Sequence, residues 1–384
     1  MTFQGLEQTL ADELNQLGAE QVEIGRRAVY FEGDQQMLYA ANMHLYTAIR
    51  ILWPIFSFTA EDPDELYGKA KDFEWESVLS IDKTFAIQTT VHSEFFTHSQ
   101  YTAQKLKDAI VDRFREKFGD RPSVNVKQPD IPIFLHISHD QVNLSLNSSG
   151  DSLYKRGYRN VQHKAPLNEV LAAGMIKLSG WPTNQPFYDP MCGSATLPIE
   201  AGLQSFNIAP CLLRNDYAFK QWSGYNSELY RTLILEAQAQ VNLEKRVIIT
   251  ASDQDSENIQ IGRRSIEQAK LGGKISLFQK KFEEADPPKH PGVAIINPPY
   301  GQRMVKDDLI SFYKTIGDVL KQKYSGWQVW VLTSNLEAAK FIGLKPSAKI
   351  PLFNGPLDCR FIKYELYQGS KKQKKQSPPF KKNR

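Results

Sequence analysis

Cysteine is nearly absent from this chain of 384 residues. Only Cys192, Cys211 and Cys359 occur, too few and too scattered for a disulfide framework or a cysteine-rich zinc site, and this usage indicates a reducing compartment. Long apolar runs are missing as well, and none approaches the length needed to cross a bilayer. The opening stretch, MTFQGLEQTLADELNQLG, is acidic and amphipathic, with no basic segment leading into an apolar core, so it does not read as a signal peptide. A cytoplasmic protein without membrane association is expected. The seven histidines, among them His92, His98, His136, His139 and His163, are dispersed without ligand spacing, and no metal site is expected.

A marked excess of one charge is also lacking. Lys and Arg number 47 against 43 Asp and Glu, a net charge of +4. The last fourteen residues, Lys371 to Arg384, hold seven basic groups and no acid, and without them 40 basic groups face 43 acidic ones. Residues 1–160 carry 16 basic and 23 acidic groups, whereas residues 161–370 carry 24 and 20. Bulk basicity therefore does not mark a nucleic-acid binder, and any such grip in the first half needs a local patch. What is present is ordinary globular composition, 41% hydrophobic and 23% charged, over a length that suits two or three domains.

The hydrophobic pattern changes partway along the chain. In residues 1–60, Leu6, Leu10, Leu14 and Leu17 recur at helical spacing, VEIGRRAVYFEGD alternates like one strand, and Met37 to Phe58 reads as helical with aromatic weight. Residues 61–150 follow as helix, strand, helix, strand, strand, with Gly119 ending the long second helix and a His139-Asp140 turn between the last strands. Residues 151–165 lie in a basic stretch without either period and read as a linker. From 166 to 369 helices and strands alternate, which implies a parallel, doubly wound sheet, closed by an antiparallel pair turning at Asn354-Gly355. Residues 370–384 have almost nothing to bury and read as a disordered tail.

Two strand ends in the second half carry the chemistry. The first reads Asp189-Pro190-Met191-Cys192-Gly193-Ser194-Ala195-Thr196 and leads from a strand into a helix. Its small residues let a ligand approach the backbone, but it has neither the Lys of a P-loop nor the GxGxxG of dinucleotide enzymes. An acid at the strand end suits a cationic ligand carrying an ammonium or sulfonium group. Asp253, at the end of the next strand, is placed to accept from ribose hydroxyls, although an acid there also serves as a plain helix cap. Glu284, after the strand beyond, is the candidate for an adenine amino group, beside the competing acids Glu283 and Asp286.

The second strand end is GVAII running into Asn297-Pro298-Pro299-Tyr300-Gly301. Two prolines stop strand pairing and fix the backbone, so that the Asn297 side chain and the Pro298 carbonyl can face one point. Two acceptors converging there suit an exocyclic amine, and Tyr300 offers a flat face for a base. Cys192 and Ser194 have no assignable His and acid partners, which disfavours covalent catalysis.

DPMCGSATLPIEAG, SDQD and NPPYG, in this order, resemble the motifs of class I S-adenosylmethionine-dependent methyltransferases that act on exocyclic base nitrogens. Upstream, SSGDSLYKRGYR and KAPLNEVLAAGMI, with TLPIEAGLQSFNIAP further on, are similar to the bacterial 23S rRNA guanine-N2 methyltransferases that carry a THUMP domain. The resemblance implies a C-terminal Rossmann-like sheet preceded by α+β ferredoxin-like and THUMP domains. It implies S-adenosylmethionine held by Asp189, Pro190, Met191, Cys192, Gly193, Ser194, Thr196, Asp253 and Glu284, with Asn297, Pro298 and Tyr300 at a flipped guanine. Where the family usually has Gly this chain has Ala195, a poor choice for positive φ. Lys155, Arg156 and Arg159 are the candidate phosphate contacts, and the implied partner is 23S rRNA or a ribosome assembly intermediate. N6-adenine methylation, tRNA guanine-N2 methylation and a non-catalytic RNA-binding assembly factor remain as alternatives at this level.

Overall fold

The computed structural model describes residues 1–159, 166–214, 216–299 and 306–367, apart from the side chains of Lys306 and Asp307. Tyr300, part of the basic stretch and the Lys-rich tail lie outside the described residues. Packing divides the chain into two units, Met1–Gly174 with Leu203–Lys245 and Gln268–Lys270 in one, and the remainder in the other.

The first unit begins with α1 (Glu7–Leu17), whose Leu10 and Leu14 are buried. The stretch expected as one strand is a hairpin, β1 (Glu20–Gly25) and β2 (Ala28–Glu32), turning at Arg26 and Arg27. Arg27 adopts φ of 55°, and because the turn contains no Gly or Asn the usual hairpin signal is missing. Next comes α2 (Gln35–His44), capped by Asp34, whose carboxylate accepts the Met37 N–H. The helical pattern expected as far as Phe58 stops there. Instead β3 (Leu52–Thr59) is a strand, because Pro54 is excluded from a helix interior and the aromatic run pairs along a sheet edge.

α3 (Pro63–Asp72) is capped by Asp62, which accepts from the amides of Asp64 and Glu65. It is followed by β4 (Thr84–His92), α4 (Ser99–Phe118), the short β5 (Ser123–Val124), β6 (Ile131–Ser138) and β7 (Gln141–Asn147). The five strands order as β3-β7-β6-β4-β5, with one face closed on Leu66, Trp75, Leu106, Ile110 and Phe114. The cations of α4 are largely spent on neighbouring acids. Arg113 grips Glu76 through Nε at 2.9 Å and Nη2 at 2.8 Å, and Lys117 meets the same carboxylate.

The segment after β7, expected as a loose linker, is packed. Ser148, Ser149, Leu153, Arg156 and Tyr158 are buried, and the Arg214 guanidinium donates to the carbonyls of Ser149, Asp151, Ser152 and Lys155. A segment that can satisfy its backbone on a buried arginine has no need of solvent. Then follow α5 (Glu169–Ser179), β8 (Phe187–Asp189), α6 (Thr196–Ser205) and α7 (Ser227–Ala239). Phe219, Leu233 and Ala237 share a core with Leu10, Tyr39 and Met43, so the 203–245 stretch packs with the N-terminal unit although sequence patterning runs it on with the second half.

The second unit continues with β9 (Ile249–Asp253), α8 (Ser256–Gln268), β10 (Ile275–Gln279), β11 (Val293–Ile296), α9 (Lys306–Lys323), β12 (Gln328–Thr333), α10 (Leu336–Ala339), β13 (Ala348–Asn354) and β14 (Leu357–Glu365). Its seven-stranded sheet has the order β10-β9-β8-β11-β12-β14-β13. All neighbours are parallel except the two pairs that involve β14, as expected for a Rossmann-like sheet with an antiparallel final pair. α9 closes one face through Tyr313, Ile316 and Leu320 against Ile296, Val329 and Val331. The chain lays down β8, β9 and β10 toward one edge and then returns to place β11 on the other side of β8. That reversal is the topological switch point, and ligands of such sheets bind beyond it at the carboxyl ends of the strands. Among the described residues no helix is long and apolar enough to cross a membrane.

Candidate active site

Asp189 ends β8 and is 1% exposed. Burial pushes its carboxyl well above the ordinary value, and the nearby Asp253 charge adds to the effect, while the Met191 N–H, at 3.2 Å, partly offsets both. The loop that follows is stitched to β9. Cys192 N–H donates to the Ser252 carbonyl at 3.0 Å, and Gly193 N–H donates to the Asp253 carboxylate at 2.9 Å. The other carboxylate oxygen of Asp253 accepts from Asp255 N–H at 2.9 Å and from Asn258 Nδ2 at 3.1 Å. Ser252 Oγ lies 3.0 Å from the Tyr188 hydroxyl and 3.4 Å from the Pro190 carbonyl. Pro190, Ser194 and Thr196 are buried, Met191 and Gly193 are half-buried, and α6 starts at Thr196.

Ala195 adopts φ of 67° and is fully buried. An Ala there tolerates the left-handed turn at a cost of roughly 1 to 2 kcal/mol. Its methyl group faces Gly262 of α8: a Cβ added at Gly262 would lie 3.2 Å from Ala195 Cβ and 3.1 Å from Leu277 Cδ2. By contrast, a Cβ at Gly193, whose φ is 51°, would meet nothing within 4 Å, so open space lies over the loop. Burial, together with the charges of Asp189 and Asp253, holds the Cys192 thiol well above its usual value, which makes it a poor nucleophile.

β11 brings the second strand end alongside. Ala294 pairs with Tyr188, so Ile295 lies level with Asp189 and Asn297 follows two residues further along. Pro298 is buried and Pro299 exposed. Asn297 Oδ1 is buried and has no hydrogen-bond partner among the described residues. An acceptor left bare in this way is uncommon in a folded chain. Glu284 sits exposed in the turn after β10, and the same turn is fastened by Lys323 Nζ, 2.8 Å from the Glu283 carbonyl and 2.9 Å from Asp286. The structure thus bonds Gly193 to Asp253, sets Asp189 on the neighbouring strand within reach of the Asp253 charge, places Asn297 at the end of the adjoining strand, and leaves Glu284 on its own turn. Sequence reasoning missed Ser252, Asn258 and Gly262. A small polar residue directly before the acid at a strand end, and an Asn in the first turn of the helix after Asp253, are the signals that point to the first two.

Comparison with known proteins gives this geometry a family. The RMKL-like methyltransferase domain matches residues 156–363, a THUMP domain residues 60–147, and the RlmL ferredoxin-like domain residues 1–52. The chain belongs to the RMKL-like methyltransferase family. It is 41% identical over 364 residues to a putative RNA methyltransferase of Synechocystis, covering 94% of this chain and 95% of that one. It is 38% identical over 373 residues to the ribosomal RNA large subunit methyltransferase K/L of Syntrophotalea carbinolica, with 94% of this chain covered but only 52% of the relative. The chain spans about half the length of the K/L relatives it matches. The crystal structure of SMU.472, a putative methyltransferase complexed with S-adenosylhomocysteine, superposes with a TM-score of 0.86 at 27% identity, covering 96% of this chain and 97% of that one.

In this RMKL-like methyltransferase the three basic residues expected on RNA are differently disposed. Arg156 is 1% exposed and donates to the carbonyls of Leu153 at 2.9 Å and Tyr46 at 2.5 Å. Arg159 is paired with Glu169 at 3.0 Å and donates to the Leu167 carbonyl. Both are structural arginines, a correction to the phosphate-binding expectation: a guanidinium with five donors satisfies several buried carbonyls at once, which is why a basic cluster can be internal. Lys155, half exposed and 3.0 Å from Asp151, is the member of the three that faces solvent.

Proposed function

We propose that this chain transfers a methyl group from S-adenosylmethionine to the exocyclic N2 of a guanine in 23S rRNA. The observation that carries the reading is the junction at the switch point of a buried acid, Asp189, with a Pro-stiffened turn whose Asn297 Oδ1 is buried and without a partner among the described residues. The names of the K/L relatives support the rRNA assignment, and S-adenosylhomocysteine in SMU.472 supports the cofactor.

The residues fit that cofactor. Asp189, whose carboxyl burial holds well above its ordinary value, gains a counter-charge when an ammonium or sulfonium group arrives. The open space over Gly193 leaves room for a ligand close to the backbone, and the Asp253 carboxylate at the end of β9 is the acceptor we assign to the ribose hydroxyls. Bound S-adenosylmethionine supplies an electrophilic methyl group. Asn297 Oδ1 and the Pro298 carbonyl accept hydrogen bonds from the target amine and so direct its lone pair, while Tyr300 stacks on the flipped base. Catalysis by positioning of this kind needs no strong base. Residues before about 160 select the RNA in this reading, Lys155 contributes a phosphate contact, and Glu284 meets the adenine amine of the cofactor.

The test is mass spectrometry of nucleosides from large-subunit rRNA of a deletion strain. N2-methylguanosine should fall, return with the wild-type chain, and stay low with Asn297→Ala. Loss of N6-methyladenosine instead, or loss confined to tRNA, would overturn the guanine or the rRNA assignment.

A further inference from the structure

The five-stranded sheet of the first unit packs one face on α3 and α4, through Leu66, Leu106 and Ile110 against Ile133 and Leu135. Alternate residues of each strand point the other way. On that second face the register sets Ser57, Asn143, His136 and Thr90 level with one another across β3, β7, β6 and β4. Neighbouring strands lie about 4.8 Å apart, so this polar row is roughly 15 Å long. Ser57 Oγ donates to Asn143 Oδ1 at 2.8 Å, which confirms that the two share a face. Ser57 is exposed and the other three are half-buried. Along β4, exposed His92 ends the row on one side and exposed Gln88 the row on the other. Arg50, just before β3, reaches onto the same face: its Nη1 donates to Gln88 Oε1, and its guanidinium lies 5.5 Å from the centre of the Phe134 ring.

Charge selects the occupant. Residues 1–160 hold 23 acidic groups against 16 basic ones, yet β3, β4, β6 and β7 contain no Asp or Glu. The acids at the strand ends lie outside the rows: the Thr84 amide and hydroxyl hold Asp130, and Asp140 occupies the turn between β6 and β7. On the helical side every Lys and Arg of α3 and α4 meets a carboxylate, whereas Arg50 forms no ion pair among the described residues. A polyanion approaching this acidic half is repelled least here, and it finds a half-buried guanidinium without a counter-charge. Beside that cation stand hydroxyl and amide groups that both donate and accept, which match a ribose 2′-hydroxyl. We propose that this face receives the sugar–phosphate backbone of the substrate RNA, with Arg50 on a phosphate and the Thr90, His136 and Asn143 row on phosphate oxygens and 2′-hydroxyls. The inference rests on the RNA-substrate reading above and assigns the grip to residues apart from those that hold the target base.

The test uses the full chain without cofactor and follows fluorescence anisotropy of a labelled single-stranded RNA of mixed sequence, and of DNA of the same sequence, over a range of salt. Arg50→Met, which keeps the stem and removes the charge, should weaken RNA binding roughly tenfold and lower the slope of log affinity against log salt by about 0.7, the loss of one phosphate contact on a single strand. Arg50→Lys should keep the slope. Thr90→Val, an isosteric change on the open face of a strand, should weaken RNA binding several-fold and leave DNA binding as it was. Wild-type affinity in Arg50→Met would overturn the proposal and leave the face to another partner. A loss there with an unchanged slope would overturn it as well, since Arg50 would then belong to the scaffold, and so would a Thr90→Val effect that is equal on RNA and DNA. Because binding is read without methyl transfer, the readings fail separately: a chain that modifies no RNA yet grips it through Arg50 loses only the methylation assignment.

Discussion

The amide of Gly193 points its hydrogen at the carboxylate of Asp253, 2.9 Å away, so the residue proposed to hold the ribose also fastens the loop proposed to hold the methionine moiety. With the Asn258 amide on its second oxygen, Asp253 is a junction between the β8 loop, the end of β9 and the start of α8. Hydrogen bonds to a charged group contribute about 1.5 to 3 kcal/mol each. Asp253→Ala should therefore lower affinity for S-adenosylhomocysteine by about 10- to 100-fold in calorimetry. Asn258→Ala, which removes one support and no ribose acceptor, should cost less than tenfold. Equal losses in the two variants would mean that Asp253 serves only to hold the loop.

Asp189 makes stability and cofactor binding run in opposite directions with pH. Its folded pKa is raised, so as pH climbs past the ordinary value of 3.8 the unfolded chain ionises while the native state holds its proton. The unfolded state then binds fewer protons, and this group's contribution to stability falls with rising pH until the native carboxyl also ionises. Asp189→Asn should melt close to the wild type near pH 4 and above it at neutral pH. Cofactor affinity of the wild type should rise over the same interval, because the ionised form pairs with the cationic ligand, and it should drop at least about 30-fold in Asp189→Asn. A melting difference that does not vary with pH would sink this account.

How far the sequence could be read depended on whether the deciding interaction was local. Strand ends at Asp189, Asp253 and Asn297 were legible because apolar runs stop there at an acid or a proline pair, and the parallel, doubly wound sheet followed from alternation, its Rossmann-like character from the family resemblance. The β1–β2 hairpin was not, since its turn at Arg26 and Arg27 uses left-handed arginine in place of glycine. β3 was read as helix because an eight-residue apolar run fits either period until its partner, β7, is known. Arg156 looked like a phosphate ligand for a related reason: composition reports a guanidinium, and only the fold reveals that the carbonyls of Tyr46 and Leu153 already occupy it. The placement of 203–245 with the N-terminal unit depends on contacts such as Tyr39 with Phe219 that no local pattern encodes.

The Ala195 and Gly262 pair offers a test of how the cofactor loop is seated. Ala195→Gly relieves left-handed strain of roughly 1 to 2 kcal/mol but gives up a buried methyl, about 0.8 kcal/mol, and loosens the unfolded chain, about 0.4 to 1 kcal/mol. The terms nearly cancel, and stability should change by less than about 1 kcal/mol. Gly262→Ala, forced against Ala195 Cβ and Leu277, should cost about 1 to 3 kcal/mol by urea denaturation. In the Ala195→Gly background that cost should fall, since only the flexible Leu277 remains in the way. A coupling energy of at least about 0.5 kcal/mol is expected, and strict additivity would show that the two residues do not bear on one another.

Asn297 combines a structural cost with a proposed catalytic role. Its Oδ1 is buried without a partner among the described residues, a state that costs about 1 to 3 kcal/mol in the free enzyme. If the acceptor is kept for the amine of the target base, removing it should help the fold and harm the reaction. Asn297→Ala trades that penalty against a small loss of packing, so its melting temperature should equal or exceed that of the wild type. Methyl transfer to RNA should meanwhile fall by about 100- to 1,000-fold, the range seen when one preorganised polar group is removed from a reacting centre. Binding of S-adenosylhomocysteine should stay within a few-fold, because the cofactor contacts proposed at Asp189, Gly193 and Asp253 are untouched. A variant that loses stability and activity together would assign Asn297 to the scaffold, whereas the expected separation marks a site that holds an unsatisfied acceptor in readiness for its substrate.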